Sequence, residues 1–364
     1  MVNVVRGVSN NPVSPLYNAS APNLTGQAGS LTTLLDAVLV NGFSGFTALG
    51  WTIGQTTTNK RQYIMAAGGT GFSIWVDDAA SGSGGAKEAR CAGYATMSAT
   101  TPTGTGQFPT SSQSSIGFGA VIIRKSTTAD ATVRYWTIVG DGHTFYLFTE
   151  TGDYTSTLAT FSFGFGDFFS YSSSDVNNCM IMGRPIENTA NASQGATGNF
   201  YESMPILNMM GSGGLSTTVA GCYINSNFTG IGGSIAFGKH SDQAKMGMAG
   251  GGTIQVVGYQ GSINTSTTNS TWTNQFFYPN NPDNGLYQAP IFIHHSGFVR
   301  GYLKGLWCPL QNQPLTHNDT FSGTNNLSGK SFIAQNTNNV TFNGSSQTTG
   351  MVGQFFVEYS DTWN

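Results

Sequence analysis

Two adjacent carboxylates, Asp77-Asp78, are the first residues in the chain with the makings of a hard-cation site. Neighbours on a regular strand point to opposite faces, so the pair cannot grip one ion together. The sequence predicts instead that they initiate a turn. Glu150 and Asp153 bracket a Thr-Gly turn and invite comparison with the two carboxylates of a glycosidase. That chemistry needs an aromatic groove and one carboxyl with a raised pKa, whereas turn capping accounts for both residues without either. His294-His295 suggests a metal, but the same alternation sends one ring toward the core and the other toward solvent or a subunit. His143, beside Asp141 in a Gly/Asp turn, reads as a hydrogen-bonded turn histidine. Cys91, Cys179, Cys222 and Cys308 show no short paired spacing, so reduced, buried thiols are expected. Gly230-Ile231-Gly232-Gly233 follows a strand pattern, but no helix pattern comes after it to cradle a phosphate. Nucleophile-elbow, P-loop, dinucleotide and zinc-protease signatures are all missing. The chain is therefore expected to have no catalytic, cofactor-binding or metal-ligating residue, and not to be an enzyme.

The elements that position these residues are mostly strands. Arg134 to Tyr171 is the densest aromatic stretch, and its period-2 pattern between Gly/Asp turns predicts a three-stranded antiparallel meander. Trp136 and Ile138 share one face of its first strand; Phe145, Leu147 and Thr149 share a face of the second; Phe161, Phe163 and Phe165 share a face of the third. One helix is predicted, capped by Ser30, with Leu31, Leu34, Leu35, Val38 and Leu39 as its apolar stripe and Gly42 beyond its end. Further strands are expected around residues 51–53, 62–66, 72–76, 87–97, 119–125 and 178–184, and in the second half around 204–210, 219–224, 234–237, 253–259, 291–294, 298–302, 305–307, 331–334 and 352–359. Residues 79–85, 98–115, 186–200 and 261–275 read as polar loops. The fold class expected is mainly β, with antiparallel sandwich-like or barrel-like sheets, one short amphipathic N-terminal helix and an extended N-terminal arm. The arm is residues 1–28, which contain Pro12, Pro15 and Pro22; it is expected to lie along a neighbouring subunit and to be dispensable for the fold. A β-rich domain with the helix follows at 29–190, and a second β-rich domain at 191–364.

Composition narrows the function classes. Only 9% of the 364 residues are charged, yet 12% are aromatic and the formal net charge is −3. Disordered chains are poor in aromatics and rich in net charge, so this chain is folded. A free monomer keeps mixed charges on its surface to stay soluble; so neutral a chain is expected to be covered by neighbours in an assembly, the alternative being a Thr/Ser/Asn-rich secreted β protein, which tolerates as little charge. Nucleic acid needs clustered Lys and Arg, and the basic pairs Lys60-Arg61 and Arg124-Lys125 read as solvated edge charges. No apolar run is long enough for a membrane span, and the first residues lack the apolar core of a secretory signal. Asn-x-Ser/Thr triplets occur as often as this composition produces by chance.

An ordered set of segments resembles virion structural proteins of tailed bacteriophages. It includes APNLTGQAGSLTTLLDAVLVNGF, EARCAGYATMS, VGDGHTFYLFTETGD, FGFGDFFSY with NCMIMGR, RGYLKGLWCPLQNQPLTHNDTFSG and the terminal VEYSDTW. The resemblance implies a particle component, made in the host cytoplasm and carried on the virion, and leaves its position on the particle open; association with the tail, baseplate or collar is the placement expected. It brings no active-site residues. Expected partners are other copies of the chain and neighbouring virion proteins, without nucleic acid, membrane or cofactor. The alternative is a receptor- or carbohydrate-binding module that stacks host-surface glycans on Trp272, Phe276, Phe277 and Tyr278.

Overall fold

The computed structural model describes residues 3–99, 101, 103–112, 119–153, 158–183, 187, 222–225, 234–236, 244–247, 288–295, 298–309, 315–336, 354–360 and 362–363. In chain order the elements begin with β1 (Arg6–Ser9), α1 (Ser30–Leu35, continued by a wider π turn over Asp36–Asn41), β2 (Thr52–Thr57), β3 (Lys60–Ile64), β4 (Ser73–Asp77) and β5 (Glu88–Tyr94). Next come β6 (Thr96–Ala99), β7 (Thr103–Thr105), β8 (Val121–Arg124), β9 (Tyr135–Gly140), β10 (Thr144–Asp153), β11 (Leu158–Asp167), β12 (Phe169–Ser170) and β13 (Cys179–Met182). The remainder are β14 (Cys222–Asn225), β15 (Ser234–Ala236), β16 (Ala244–Gly247), β17 (Gln288–His295), β18 (Phe298–Pro309), β19 (Thr320–Ser322), β20 (Ser331–Asn336) and β21 (Gln354–Glu358).

The mainly β, antiparallel, sandwich-like class is what the structure shows. A seven-stranded sheet runs β1-β9-β10-β11-β13-β14-β15, a five-stranded sheet runs β2-β3-β4-β5-β8, and a third runs β16-β17-β18-β21-β20-β19 with β12 on β18. Among the described residues no sheet closes on itself, and the sheets are sandwich-like rather than a closed barrel. The meander is β9, β10 and β11, in register with Phe145 opposite Gly140 and Phe165, and Leu147 opposite Ile138 and Phe163. Because side chains alternate, Trp136, Ile138, Phe145, Leu147, Phe163 and Phe165 share the face that meets Tyr63, Ile74, Val76, Cys91 and Ile123 of the five-stranded sheet. Phe161 and the other side chains of residues 154–162 lie outside the described residues.

Helix α1 covers this core as expected: Leu31, Leu34, Leu35, Val38 and Leu39 are all fully buried in it. Its start differs from expectation. Gly29, left-handed at φ 83°, is the N-cap and Ser30 makes no cap bond; Ser30 Oγ instead donates to the Thr25 carbonyl at 2.8 Å. Gly42 ends the π turn at φ 71° with its N–H on the Ala37 carbonyl.

The opposite face of the seven-stranded sheet is buried too. Tyr146 donates its hydroxyl to the Lys304 carbonyl at 2.8 Å, and its ring lies 5.7 Å from that of Trp363. The third sheet therefore packs on the second face of the first, giving three layers with the aromatic meander in the middle.

Two organisational expectations need correction. Residues 6–9 of the supposed arm are the edge strand of the central sheet, paired with β9. Leu24 is fully buried, Trp136 Nε1 donates to the Pro22 carbonyl at 2.9 Å, and Asn10 Oδ1 accepts the Trp136 N–H at 2.7 Å. Prolines and Asn blocked any periodic signal, yet these residues satisfy their backbone groups on the meander. The division at residue 190 also runs through shared sheets: β14 and β15 extend the first sheet, while β12 pairs with β18 of the third. The expected loop at 98–115 overlaps a small hairpin in which β6 (Thr96–Ala99) pairs with β7 (Thr103–Thr105). The strands expected at 204–210 and 253–259, and the loops at 186–200 and 261–275, fall outside the described residues except for Glu187.

Candidate functional site

Asp77 behaves as a turn initiator: its carboxylate accepts the Ala79 N–H at 3.0 Å and the Ser81 hydroxyl at 3.1 Å, and pairs with Lys60 at 2.9 Å. Asp78 does something the sequence did not disclose. Its Oδ2 accepts the N–H groups of Leu31 at 2.8 Å and Thr32 at 3.4 Å, so a residue 47 positions away caps α1. Its Oδ1 is ion-paired with Lys125, and both side chains are fully buried. Lys125 Nζ also donates to the Gln27 carbonyl at 2.7 Å and reaches Ser30 Oγ at 3.4 Å. Burial pushes the Asp78 carboxyl up to about 6 against the pull of Lys125 and the two N–H groups, and lowers the Lys125 ammonium. The basic pair Arg124-Lys125 is thus not a solvated edge: Arg124 is also buried and pairs with Glu88 at 3.4 Å. Lys60-Arg61 is consumed as well, with Arg61 on Asp36 at 3.3 Å.

The β9–β10 turn is a polar latch. Asp141 Oδ1 accepts the N–H groups of His143 and Thr144, each at 2.8 Å, while Asn3 Nδ2 donates to Asp141 Oδ2 at 2.7 Å and lies 3.0 Å from His143 Nδ1. His143 Nε2 is 3.3 Å from the Ala67 carbonyl. Nearby, Asp167 accepts the Thr70 N–H at 2.8 Å and the Thr70 hydroxyl at 2.6 Å. Burial raises both carboxyls, with Lys304 and His143 among the groups acting in opposition. His143 is the hydrogen-bonded turn residue that was expected; the partners supplied by Asn3, Ala67 and Thr70 hold three loops together.

Glu150 is engaged by residues from distant parts of the chain. It accepts a bond from Asn11 Nδ2 at 2.6 Å and faces His317 Nε2 at 3.4 Å, across a ladder irregularity between Glu150 and Asp153. The side chain of Asp153 is outside the described residues, as are those of His294 and His295, whose backbones lie in β17. Gly230, Ile231, Gly232, Gly233, Trp272, Phe276, Phe277 and Tyr278 are outside them altogether. Cys91 and Cys179 are free, buried thiols whose pKa values burial raises well above the ordinary. Cys222 and Cys308 have undescribed side chains. Among the described residues no group of three or more His, Cys, Asp or Glu is placed to hold a metal ion, and no helix is long and apolar enough to cross a membrane.

Two features escaped sequence reading. At one irregular register of β17–β18, Val299 opposes His294 and Gly301 opposes Ile293, leaving Arg300 as the extra residue of a bulge. Arg300 is thereby aimed inward, where it clasps Asp175 at 2.7 and 2.8 Å and donates to the Asn225 carbonyl, its guanidinium 5.2 Å from the Phe168 ring centre. The second feature is a surface. Phe169, Tyr302 and Phe292 are register partners across β12, β18 and β17, with ring centres 4.7 and 6.5 Å apart. Tyr171, 57% exposed, extends this aromatic row 5.4 Å from Phe169. A charged pair 125 residues apart and a row drawn from three strands leave no trace in local spacing.

Ion pairing engages most of the cations among the described residues. Of the chain's 14 Lys and Arg, eight (Lys60, Arg61, Arg90, Arg124, Lys125, Arg134, Arg300 and Lys330) are in ion pairs with Asp or Glu. A sequence already poor in charge thus spends most of its cations on its own carboxylates.

No family model matches the sequence, and a search of curated proteins found no match.

Proposed function

We propose that this chain is a structural subunit of a tailed-phage virion, associated with the tail, baseplate or collar, and that it acts by self-association and by docking to neighbouring virion proteins. The observation that carries the reading is the scarcity of charge in the chain together with the pairing of eight of its cations with its own carboxylates. Isolated proteins hold themselves apart with surface charge, and a protein that pairs its charges internally is suited to a setting where other subunits cover it. The layered antiparallel β body suits a structural part of a particle. The resemblance of its segments to phage virion proteins supplies the particle. The test has two arms: native mass by light scattering over a hundredfold concentration range, and antibody labelling of purified particles. The expected results are a mass that is a multiple of the monomer and label on the particle. A monomer at every concentration, together with unlabelled particles, would overturn the reading.

The aromatic row favours a second reading, a module that binds host-surface glycan. Exposed rings beside hydroxyls stack well on sugar faces. On a glycan array, binding that falls at least tenfold in Tyr171→Ala would carry this reading, and an array without signal for the parent protein would end it.

A further inference from the structure

We propose that Lys125 and Asp78 condense to an intramolecular amide, a covalent cross-link between the end of β4 and the residue after β8 that forms without enzyme or cofactor. Lys125 Nζ is in direct contact with Asp78 Oδ1, and both side chains are fully buried. The other Lys–carboxylate pairs among the described residues differ, because Lys60 and Lys330 are partly exposed beside Asp77 and Glu358. Both backbones are pinned. The Asp78 N–H donates to the Asn59 carbonyl at 2.9 Å, the Asp78 carbonyl accepts the Gly29 N–H at 3.0 Å, and the Lys125 N–H donates to the Lys87 carbonyl at 2.9 Å. A nucleophile and an acyl carbon held in contact react without the entropic cost of an encounter. Burial also moves both groups toward their neutral, reactive forms: the carboxyl is pushed up to about 6 and the ammonium is lowered.

The step balances with water as its only by-product. One proton passes from the ammonium to Asp78 Oδ1, leaving an amine beside a carboxylic acid. The Nζ lone pair attacks Cγ, the new N–C bond forms, and the carbonyl electrons move onto Oδ2. The Leu31 N–H at 2.8 Å and the Thr32 N–H at 3.4 Å already point at that oxygen and stabilise the charge that develops there. The carbonyl then re-forms as the bond from Cγ to Oδ1 breaks, and the departing hydroxyl takes a proton from Nζ to leave as water. The product inherits its partners. The amide N–H keeps the bond that Nζ makes to the Gln27 carbonyl at 2.7 Å, and the amide oxygen keeps the Leu31 and Thr32 N–H groups. A buried ion pair is thus replaced by a neutral, hydrogen-bonded group, which the core accommodates at lower desolvation cost. The ionic pair of newly folded protein is the precursor, so stability differences that involve Lys125 refer to chain that still has its full mass.

The test is the intact mass of full-length protein, incubated folded and then denatured, followed by a peptide map. The parent is expected to lose the mass of one water and to yield a branched peptide joining Asp78 to Lys125, while Lys60 and Lys330 stay in linear peptides. Lys125→Arg keeps the positive charge but replaces the amine by an unreactive guanidinium, so it should retain its full calculated mass. A parent that keeps its full mass after prolonged incubation overturns the inference. So does a water loss that persists in Lys125→Arg, or one that maps elsewhere, such as to Asp141-Gly142, where aspartyl ring closure also releases water. If Lys125→Arg does not fold, the presence or absence of the branched peptide in the parent decides alone. The structural-subunit reading stands or falls separately, since the cross-link lies within one chain.

Discussion

Lys125→Met is expected to cost the fold about 3–5 kcal/mol, the range for stranding one member of a buried ion pair. The methionine keeps the volume, so the loss reports the charge. Lys125 is fully buried and pairs with an equally buried Asp78, and that carboxylate holds the first N–H groups of α1. Without the ammonium, Asp78 must either carry an unpaired charge in the core or take up a proton. Its carboxyl is already raised from 3.8 to about 6 by burial. The sign follows directly. An acid whose pKa is higher in the folded than in the unfolded state binds more protons when folded, so stability rises as pH falls through that window. The Lys125→Met deficit should therefore shrink between pH 7 and pH 5. Urea denaturation of parent and variant at the two pH values measures both effects. A cost below about 1 kcal/mol at pH 7, or a deficit that widens toward pH 5, would show that Asp78 is not held by Lys125 as the geometry indicates.

Deleting residues 1–28 is expected to yield no soluble folded protein. The deletion removes β1 from the central sheet and takes away Val5, Val8 and Leu24, all buried. Each such side chain contributes about 1.5–3 kcal/mol on burial, and a whole domain is stable by only about 5–15 kcal/mol. The deletion also strands polar groups, since Ser9 Oγ donates to the Trp136 carbonyl at 2.7 Å and Asn10 holds the Trp136 N–H. A milder variant keeps the idea testable if the truncated chain merely aggregates. Leu24→Ala should lower stability by about 2–5 kcal/mol, as large-to-small changes in a packed core do. A soluble truncated chain that unfolds cooperatively near the parent midpoint would restore the free-arm description that its prolines suggested.

Both results concern residues whose sequence neighbourhood misleads. Arg124-Lys125 looks like surface charge because nothing nearby in the chain opposes it; its partners Glu88 and Asp78 arrive from β5 and the end of β4. Glu150 looks like a turn cap because Gly152 follows; the fold also brings Asn11 and His317 to it. Asp77 was read correctly because its partners, Ala79 and Ser81, are local.

What the sequence determined by itself is the local and the periodic. Alternation fixed the faces of β9, β10 and β11, since one-residue slippage would turn Phe145, Phe163 and Phe165 away from the five-stranded sheet. The Leu31–Leu39 stripe fixed α1, and composition alone made the chain poor in charge. What only the tertiary structure decided depends on residues far apart in the chain. The cap of α1 by Asp78, the Arg300–Asp175 clasp, the aromatic row across β12, β18 and β17, and the exchange of strands across residue 190 are such features. Each pairs groups that become neighbours only when strands stack, and the cost of burying a charge or a backbone N–H then selects whichever partner the fold supplies. Local patterns specify which face of an element is apolar; the meeting of elements specifies which polar groups must find each other.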